Sequence, residues 1–205
     1  LDGSSAPFVR GIMQRGVRML TAPVFALEVL KTVTITEGDA TATIAPSDTL
    51  KIDFEIDFVD AAIGHQQKSL VMNNGSFARE LCDSRTFCRQ ADVDAMQANG
   101  LALGGSAGEN AIVFEGDKVL SPGGLRHADE PVRHKMLDAL GDLALAGAPL
   151  IGHYTGIRAG HTMTNTLLRA LFATPGAVRM VECDAAMTSR LPGYGLVMAE
   201  IPTVA

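Results

Sequence analysis

The sequence predicts an α+β fold in which an antiparallel or mixed sheet carries helices on one of its faces. Alternating, β-branched segments concentrate between residues 28 and 59, whereas the longest helical patterns lie between residues 129 and 173. Strand-rich segments followed by helix-rich segments are typical of this fold class. Apolar residues make up 47% and charged residues 20% of the 205 residues, which is the balance of an ordinary globular chain.

The first predicted element is a helix over residues 4–20. Ser4 suits the N-cap, Pro7 suits the first turn, and apolar side chains follow them at helical spacing. Pro23 interrupts the pattern and predicts a linker between this helix and the next segments.

Strands are predicted next, over residues 28–36, 40–44 and 50–59. Gly38 and Asp39 separate the first two strands and predict a tight turn. In the third strand apolar and polar residues alternate strictly, which predicts a half-buried strand with one apolar face. That apolar face consists of Ile52, Phe54, Ile56 and Phe58.

The rest of the chain alternates between helical and strand-like patterns. Helices are predicted over residues 76–87, 92–99, 129–146 and 161–173, and strands over residues 111–114, 118–120 and 150–157. Gly100 stops the second of these helices, and Gly147 with Pro149 stops the third. We make no assignment for the Pro- and Gly-rich end of the sequence.

Composition narrows the possible classes of function. The net charge of −6, the scattered basic residues and the absence of Trp give no support to a nucleic-acid-binding surface. Cys82, Cys88 and Cys183 form no CxxC pair, which is typical of a reducing compartment. The first residues lack the pattern of a signal peptide, and the longest near-apolar stretch, residues 143–152, is about half of the roughly 20 residues that span a membrane. We therefore expect a soluble, cytoplasmic protein with no transmembrane segment and no nucleic-acid partner.

One face of the helix predicted over residues 129–146 carries a possible metal site. His134, Asp138 and Asp142 stand at positions i, i+4 and i+8, so they share one face of a helix. A solvated polar stripe is the plain alternative, but apolar residues cover most of the remaining circumference and favour a largely buried helix. Buried carboxylates need partners, and zinc suits a set of imidazole and carboxylate ligands. Because catalytic zinc uses three protein ligands, a third ligand has to come from elsewhere.

His161 begins the last predicted helix and has two interpretations. It is either a capping or surface histidine, or a general acid held in its protonated form by a carboxylate. Asp142, one turn beyond the possible metal ligands, is the natural partner for that second role. We predict that His65, His127 and His153 are surface or loop residues without such an acidic neighbour.

A Gly-rich segment, NGLALGGSAGENA, follows the helix predicted over residues 92–99. It is faintly similar to the phosphate cradle of small-molecule kinases, in which a Gly-rich loop leads into a helix. Here a strand-like segment follows instead, and no Lys-Ser or Lys-Thr pair is present. The segment is explained equally well by a close approach of two backbones, which glycine permits.

Five segments, taken in order, resemble one family over residues 1–173: DGSSAPF, SRTF, GLALGGS, GLRHADEPVRHKMLDALGDLALAG and AGHTMTNTLL. They resemble the UDP-3-O-acyl-N-acetylglucosamine deacetylases. The resemblance implies two α+β domains that pack helix to helix around a zinc ion. It also implies hydrolysis of the acetamide of UDP-3-O-(3-hydroxyacyl)-N-acetylglucosamine during lipid A biosynthesis in Gram-negative bacteria.

The resemblance assigns roles to the residues that match its motifs. It implies that His134 and Asp138 are zinc ligands, and that His161 is the proton donor, oriented by Asp142. Thr86 would help to hold the oxyanion.

The same resemblance places the substrate. Lys135, next to the first zinc ligand, would meet the anionic end of the UDP-sugar. Phe87 and the turn that contains Gly105 and Ser106 would border the passage for the acyl chain.

The resemblance also divides the chain and marks where it departs from the family. Residues 1–22 would be the terminal helix and linker of a first domain, and residues 23–205 a second domain with two zinc ligands and the proton donor. The family's remaining zinc histidine and its general-base glutamate precede DGSSAPF, so we expect an amino-terminal domain to be missing and the chain alone to be inactive. Arg89 stands where the family often has an aromatic residue, and GGSAGENA is one residue longer than usual. A binding module without catalytic activity is the alternative.

Overall fold

The computed structural model describes residues 2–18, 20–100 and 110–203. The α-helices, numbered along the chain, are α1 (Ala6–Arg15), α2 (Ser76–Glu80), α3 (Gln90–Ala98), α4 (Glu130–Leu143), α5 (His161–Ala173) and α6 (Ala185–Thr188). Short 3-10 helices lie at Ala144–Ala146 and Met198–Glu200. No helix within these ranges is both long and apolar enough to cross a membrane.

Eleven strands of the described ranges form three sheets. They are β1 (Val24–Val29), β2 (Val33–Glu37), β3 (Ala40–Ala45), β4 (Lys51–Asp57), β5 (His65–Val71), β6 (Phe87–Arg89), β7 (Ile112–Glu115), β8 (Lys118–Val119), β9 (Leu150–Ile151), β10 (His153–Ile157) and β11 (Val178–Cys183). The largest sheet has the order β2-β3-β10-β4-β5, and the smaller ones are β11-β1-β9 and β6-β7-β8. In each sheet one pair of neighbouring strands is parallel and every other pair is antiparallel. The predicted α+β class with a mixed sheet is confirmed.

The two long helices cover one face of the five-stranded sheet, as predicted. α4 packs over β4 and β5, and α5 packs over β2 and β3. The apolar face predicted for β4 points into this core, where Ile52, Phe54 and Ile56 are buried and Phe58 is partly buried. The helices contribute buried apolar side chains from the opposite side, including Met136 of α4. Burial of this apolar surface is the main favourable contribution to the fold.

Two predicted strands are each split between two sheets. Residues 28–36 divide into β1 and β2, and residues 150–157 divide into β9 and β10. The second break falls at Gly152, where an added Cβ would lie 2.8 Å from Cγ2 of Val29. The alternation of apolar and polar side chains continues where the chain passes from one sheet to the next. The sequence pattern therefore predicted one strand where the chain forms two.

Two predicted helices are shorter than expected. The helix predicted over residues 76–87 ends at Glu80, and Phe87 lies in β6. The helix predicted over residues 4–20 is limited to α1, because Gly16 follows it with a left-handed φ of +83°. α1 packs against α2 and the last 3-10 helix, and its first amides donate to the carbonyl of Cys82. The proposed division of the chain near residue 22 stays a prediction.

A fully buried carboxylate lies at the start of α4. Glu130 accepts a bidentate interaction from the guanidinium of Arg85, at 2.9 and 3.0 Å, and further bonds from the backbone amides of Arg85 and Arg126. Burial alone would raise the pKa of Glu130, but these donors outweigh it and hold the pKa below its usual value. The pair fastens α4 to the loop that precedes β6.

Glu130→Gln is expected to destabilise the protein by about 3–5 kcal/mol, because it leaves the guanidinium of Arg85, whose side chain is only 14% exposed, without its counter-charge. Glu28→Gln is the matched control, since Glu28 pairs with the exposed Arg179 and such pairs contribute about 0–1 kcal/mol. The free energy of unfolding from urea titrations of both variants tests this. Equal losses in the two variants would contradict it.

The same pair predicts how stability depends on pH. Because the pKa of Glu130 is lowered in the folded state, its contribution is complete above the ordinary glutamate pKa of about 4.3. It is lost as the pH falls from there through the lower folded-state pKa. Glu130→Gln should therefore show a weaker loss of stability over this acidic range than the parent protein.

Candidate active site

A cavity of about 390 Å³ lies between the start of α5, the middle of α4 and β6. Its lining includes the predicted site residues Thr86, Phe87, His134, Lys135, Asp138 and His161. The remaining lining residues are Phe58, Cys88, Arg89, Asp92 and Ala159. Segments far apart in the sequence therefore meet at one site.

His134 and Asp138 form the inner part of this site. They lie one turn apart on α4, and Nε2 of His134 is 3.3 Å from Oδ1 of Asp138. The other ring nitrogen of His134, Nδ1, is 3.1 Å from the carbonyl oxygen of Ser84. A carbonyl only accepts, so Nδ1 carries a hydrogen, and in the neutral ring Nε2 then keeps its lone pair. The predicted closeness of His134 and Asp138 is confirmed.

His161 reaches the same helix face from α5. Its Nδ1 lies 2.9 and 3.0 Å from the two carboxylate oxygens of Asp142, and its Nε2 lies 3.9 Å from Oδ2 of Asp138. The preceding turn contains Arg158 with a left-handed φ of +51°, held by a bond from its amide to the carbonyl of Glu55. The predicted contact between His161 and Asp142 is confirmed, while their catalytic roles stay predictions.

Lys135 points to Asp138. Its Nζ donates to Oδ2 of that carboxylate at 2.9 Å, so the lysine is ion-paired within the site. Lys135 also lines a second cavity of about 110 Å³ together with Asp57, Phe58 and Arg158. The two cavities share Phe58, Lys135 and Ala159, which makes them neighbours.

Thr86 is held in place through its backbone. Its amide donates to the carbonyl of Asp2, and its carbonyl accepts from the amide of Ile112. Gly3 packs so closely that an added Cβ would lie 2.7 Å from Cβ of Thr86. The glycine of the DGSSAPF segment thus permits this contact with the SRTF segment.

Phe87 forms an aromatic wall of the cavity. Its ring makes edge contacts with Phe58 at 5.5 Å, Phe114 at 6.1 Å and the ring of His134 at 6.4 Å between centroids. Gly105 and Ser106, which the resemblance places at the passage for the acyl chain, lie outside the described residues. The Gly-rich segment leads into β7, as predicted, and not into the helix that a phosphate cradle requires.

The sequence analysis did not identify four lining residues as part of a site: Phe58, Cys88, Asp92 and Ala159. Phe58 carried a usable signal, because it ends the alternating apolar face of residues 50–59. No sequence pattern marked Cys88 and Asp92 as site residues, apart from their closeness in sequence to Thr86. Burial and the charge of Asp92 raise the pKa of the Cys88 thiol above its usual value, which disfavours the reactive thiolate.

The prediction that three histidines lack an acidic neighbour is wrong. His127 lies 2.9 Å from Asp83, His153 lies 2.7 Å from Asp53, and His65 lies 3.1 Å from Glu55. Each acidic partner is either far away in the sequence or on a neighbouring strand. The spacing of residues along the sequence therefore did not predict these pairs. None of these histidines lines the cavity of about 390 Å³.

His134 and Asp138 fit a metal ion of the zinc type. Two ligand atoms about 2.0–2.2 Å from a tetrahedral zinc lie about 3.3–3.5 Å apart, which matches the 3.3 Å between Nε2 and Oδ1. The bond from Nδ1 of His134 to a backbone carbonyl is the outer-shell contact typical of metal-binding histidines. Within residues 2–18, 20–100 and 110–203, no group of three or more His, Cys, Asp or Glu is arranged to hold a metal.

An α+β fold that brings two histidines, each paired with a carboxylate, to one cavity is suited to acid–base chemistry. A sequence model of the LpxC family, UDP-3-O-acyl N-acetylglycosamine deacetylase, matches residues 1–173. The chain belongs to this family.

Curated relatives are also similar over most of the chain. Proteins named UDP-3-O-acyl-N-acetylglucosamine deacetylase from Phenylobacterium zucineum, an Anaeromyxobacter species and Shewanella oneidensis are 47%, 42% and 38% identical over 180, 194 and 205 residues. These matches cover 88%, 94% and 97% of this chain, but only 61%, 64% and 66% of the relatives. The chain thus spans less than two thirds of the length of these relatives.

The hydrogen bonds of the histidines predict opposite ring tautomers. His134 is expected as the Nδ1–H form because the carbonyl oxygen of Ser84 lies closer to Nδ1, at 3.1 Å, than Asp138 lies to Nε2, at 3.3 Å. His153 is expected as the Nε2–H form because that nitrogen faces Asp53 at 2.7 Å. Long-range nitrogen–proton correlation spectra of the protein, recorded above the histidine titration range, distinguish the two forms. An Nε2–H form of His134 would contradict the orientation described here.

Proposed function

We propose that this chain forms part of a zinc-dependent deacetylase that hydrolyses the acetamide of UDP-3-O-(3-hydroxyacyl)-N-acetylglucosamine. The reaction releases acetate and belongs to lipid A biosynthesis in the cytoplasm of a Gram-negative bacterium. The observation that carries the proposal is that the His134–Asp138 pair lines one cavity together with His161, whose other ring nitrogen is engaged by Asp142. Membership of the deacetylase family and the names of the relatives support it.

In this proposal His134 and Asp138 hold the zinc ion. The ion, when bound, supplies a Lewis acid for the amide carbonyl and the attacking water. Because the described residues offer two ligands, we propose that the third ligand and the general base come from an amino-terminal domain, as the family resemblance implies. The 205-residue chain alone should then bind zinc weakly and be inactive.

His161 supplies the proton in this proposal. Hydrolysis breaks the amide C–N bond, adds an oxygen from water to the carbonyl carbon and requires a proton on the leaving nitrogen. Nδ1 of His161 is engaged by Asp142, so Nε2 is the ring nitrogen that faces Asp138 and the cavity. Asp142 orients the ring through its contact with Nδ1. Thr86, which lines the same cavity, is proposed to donate to the developing oxyanion.

The nucleotide end of the substrate is proposed to lie over the smaller, neighbouring cavity. Lys135 and Arg158 both line it and supply positive charge for a diphosphate. Arg158 pairs at 2.5 Å with Asp57, the last residue of β4, and 42% of its side chain is exposed, so it remains accessible to an anion. Phe87 and the turn with Gly105 and Ser106 are proposed to border the acyl chain.

His134→Ala and Asp138→Ala, made in the complete gene product, should each weaken zinc binding by more than the roughly 10–100-fold typical of an outer-shell change. His153→Ala is the matched control, because it breaks another histidine–aspartate pair, with 2.7 Å between the two side chains, that does not line the cavity. Competition titrations with a chromophoric chelator measure the affinities, with residues 1–205 alone as a further sample. An unchanged affinity in the first two variants would refute the assigned ligands.

His161→Gln should lower kcat by about 10²–10⁴-fold, the usual contribution of a general acid, while zinc content stays unchanged. Asp142→Asn should lower kcat in the same direction, because the ring loses its orienting carboxylate. His65→Gln, which alters an exposed histidine paired with Glu55, is the control and should keep full activity. Acetate release measured beside metal analysis tests this, and a loss of zinc in His161→Gln would instead make His161 a ligand.

A further inference from the structure

Among the described residues, Tyr154 is the largest fully buried side chain, and the proposed reaction does not use its hydroxyl group. It lies on β10, the middle strand of the five-stranded sheet, and points into the core beneath the helices. Its ring stacks on that of Phe54, with 6.3 Å between the centroids. Gly156 leaves room for both rings, because an added Cβ there would lie 2.7 Å from Phe54 and 3.0 Å from Tyr154. The position of the Tyr154 ring is therefore fixed by the sheet.

Two buried hydroxyl groups connect this strand to the start of α5. The hydroxyl of Tyr154 lies 3.0 Å from Oγ1 of Thr164, a residue that is 2% exposed. Oγ1 of Thr164 donates in turn to the carbonyl of Gly160 at 3.4 Å. A carbonyl only accepts, so the single hydroxyl hydrogen of Thr164 goes to Gly160, and Tyr154 is the donor to Thr164. The two bonds thus run from the sheet to the residue that directly precedes His161.

Burial makes both hydroxyl bonds hard to replace. A buried hydroxyl that loses its partner has no water to turn to, so the free energy lost by removing it from water is no longer offset. Burial also raises the pKa of the Tyr154 phenol above its ordinary value, and the negative charge of Asp142 adds to this, although the bond with Thr164 lowers the pKa. The phenol therefore keeps its hydrogen and lies within electrostatic reach of the carboxylate that contacts His161.

The ring of His161 depends on the position of the helix turn that carries it. Its side chain is 66% exposed, so packing contributes little to holding the ring. The contact of its Nδ1 with Asp142 joins α5 to α4, and it forms only if the first turn of α5 lies at the right distance from α4. The carbonyl of Gly160, at the start of this turn, accepts from both the amide and the hydroxyl of Thr164. The bonds from the core thus reach the backbone next to His161.

We propose that the hydroxyl groups of Tyr154 and Thr164 position His161 for catalysis by fixing the first turn of α5. In that position Nδ1 of His161 meets Asp142, and Nε2 faces the cavity. The proposal rests on the proposed role of His161 as the proton donor. Tyr154 and Thr164 are positioning residues, because both are buried in the core and neither lines the cavity.

Tyr154→Phe removes one hydroxyl group and keeps the stacked ring. In the zinc-loaded complete gene product it should lower kcat by roughly 10–100-fold and leave KM unchanged, because a shift of about 1 Å in a catalytic group can cost about 10²-fold. Tyr194→Phe is the matched control, since it removes the hydroxyl of a tyrosine that is 47% exposed and does not line the cavity. This control should keep full activity. An unchanged kcat in Tyr154→Phe would overturn the proposal.

Substitutions of Thr164 test the second hydroxyl group in the same assay. Thr164→Val keeps nearly the same shape without the hydroxyl and should lower kcat as Tyr154→Phe does. Thr164→Ser keeps the hydroxyl and should retain most of the activity. Thr166→Val is the control, because Thr166 also donates to the carbonyl one turn earlier in α5 but lies on the exposed side of the helix. Equal kcat values for valine and serine at position 164 would contradict a role of the hydroxyl.

A double substitution separates positioning from a general loss of stability. All variants are assayed at a temperature at which circular dichroism shows each of them to be folded. In the His161→Gln background, Tyr154→Phe should lower kcat no further, because the group that it positions is gone. The loss in the free energy of unfolding should be the same in both backgrounds. A drop in kcat by the same factor in both backgrounds would show that Tyr154 does not act through His161, and would overturn the proposal.

Failure of the proposed function has a different signature. If the parent protein releases no acetate, the deacetylase function is wrong, and NMR then follows the position of His161 without turnover. Long-range nitrogen–proton correlation spectra are recorded at one fixed pH above the histidine titration range. The ring signals of His161 should shift or split in Tyr154→Phe and Thr164→Val but not in Tyr194→Phe. Unchanged His161 signals in the first two variants would overturn the role of both hydroxyl groups.

Discussion

The buried ion pair between Glu130 and Arg85 is the interaction on which the site depends. Glu130 stands one turn before His134 on α4, and Arg85 directly precedes Thr86. Their bidentate contact therefore fixes the helix and the loop against each other. The same loop brings the carbonyl of Ser84 to Nδ1 of His134. A fully buried charge is stable only with such partners, so the start of α4 has little freedom to shift relative to the loop.

Asp138 connects the groups of the site electrostatically. Its Oδ1 faces Nε2 of His134, whereas its Oδ2 accepts from Lys135 at 2.9 Å and lies 3.9 Å from Nε2 of His161. The carboxylate of Asp138 thus lies close to three basic side chains, those of His134, Lys135 and His161. Charges this close and partly shielded from water influence each other strongly. We infer that substitution of Asp138 alters the surroundings of His134, Lys135 and His161 together.

The periodicity of apolar residues correctly predicted the ranges of those helices and strands whose surroundings stay the same along their length. α4 and α5 follow their predicted ranges because one apolar face meets the same sheet over several turns. Prediction failed where the chain leaves one sheet for another, as at Gly152, since alternation continues across the break. It also failed for the histidine partners: Asp53 and His153 are 100 residues apart, and only the pairing of β4 with β10 brings them together.

The sequence by itself determined the fold class, the core-facing residues of β4 and the shared helix face of His134, Asp138 and Asp142. These follow from spacing within one helix or strand, because backbone geometry converts spacing directly into direction. Only the tertiary structure decided that His134 meets the carbonyl of Ser84, that Lys135 pairs with Asp138, and that Arg89 is held by Asp60. Each of these contacts depends on how an element packs against its neighbours or on which rotamer its side chain adopts. Packing is a collective property of the whole core, so the spacing of residues in the sequence does not reveal it.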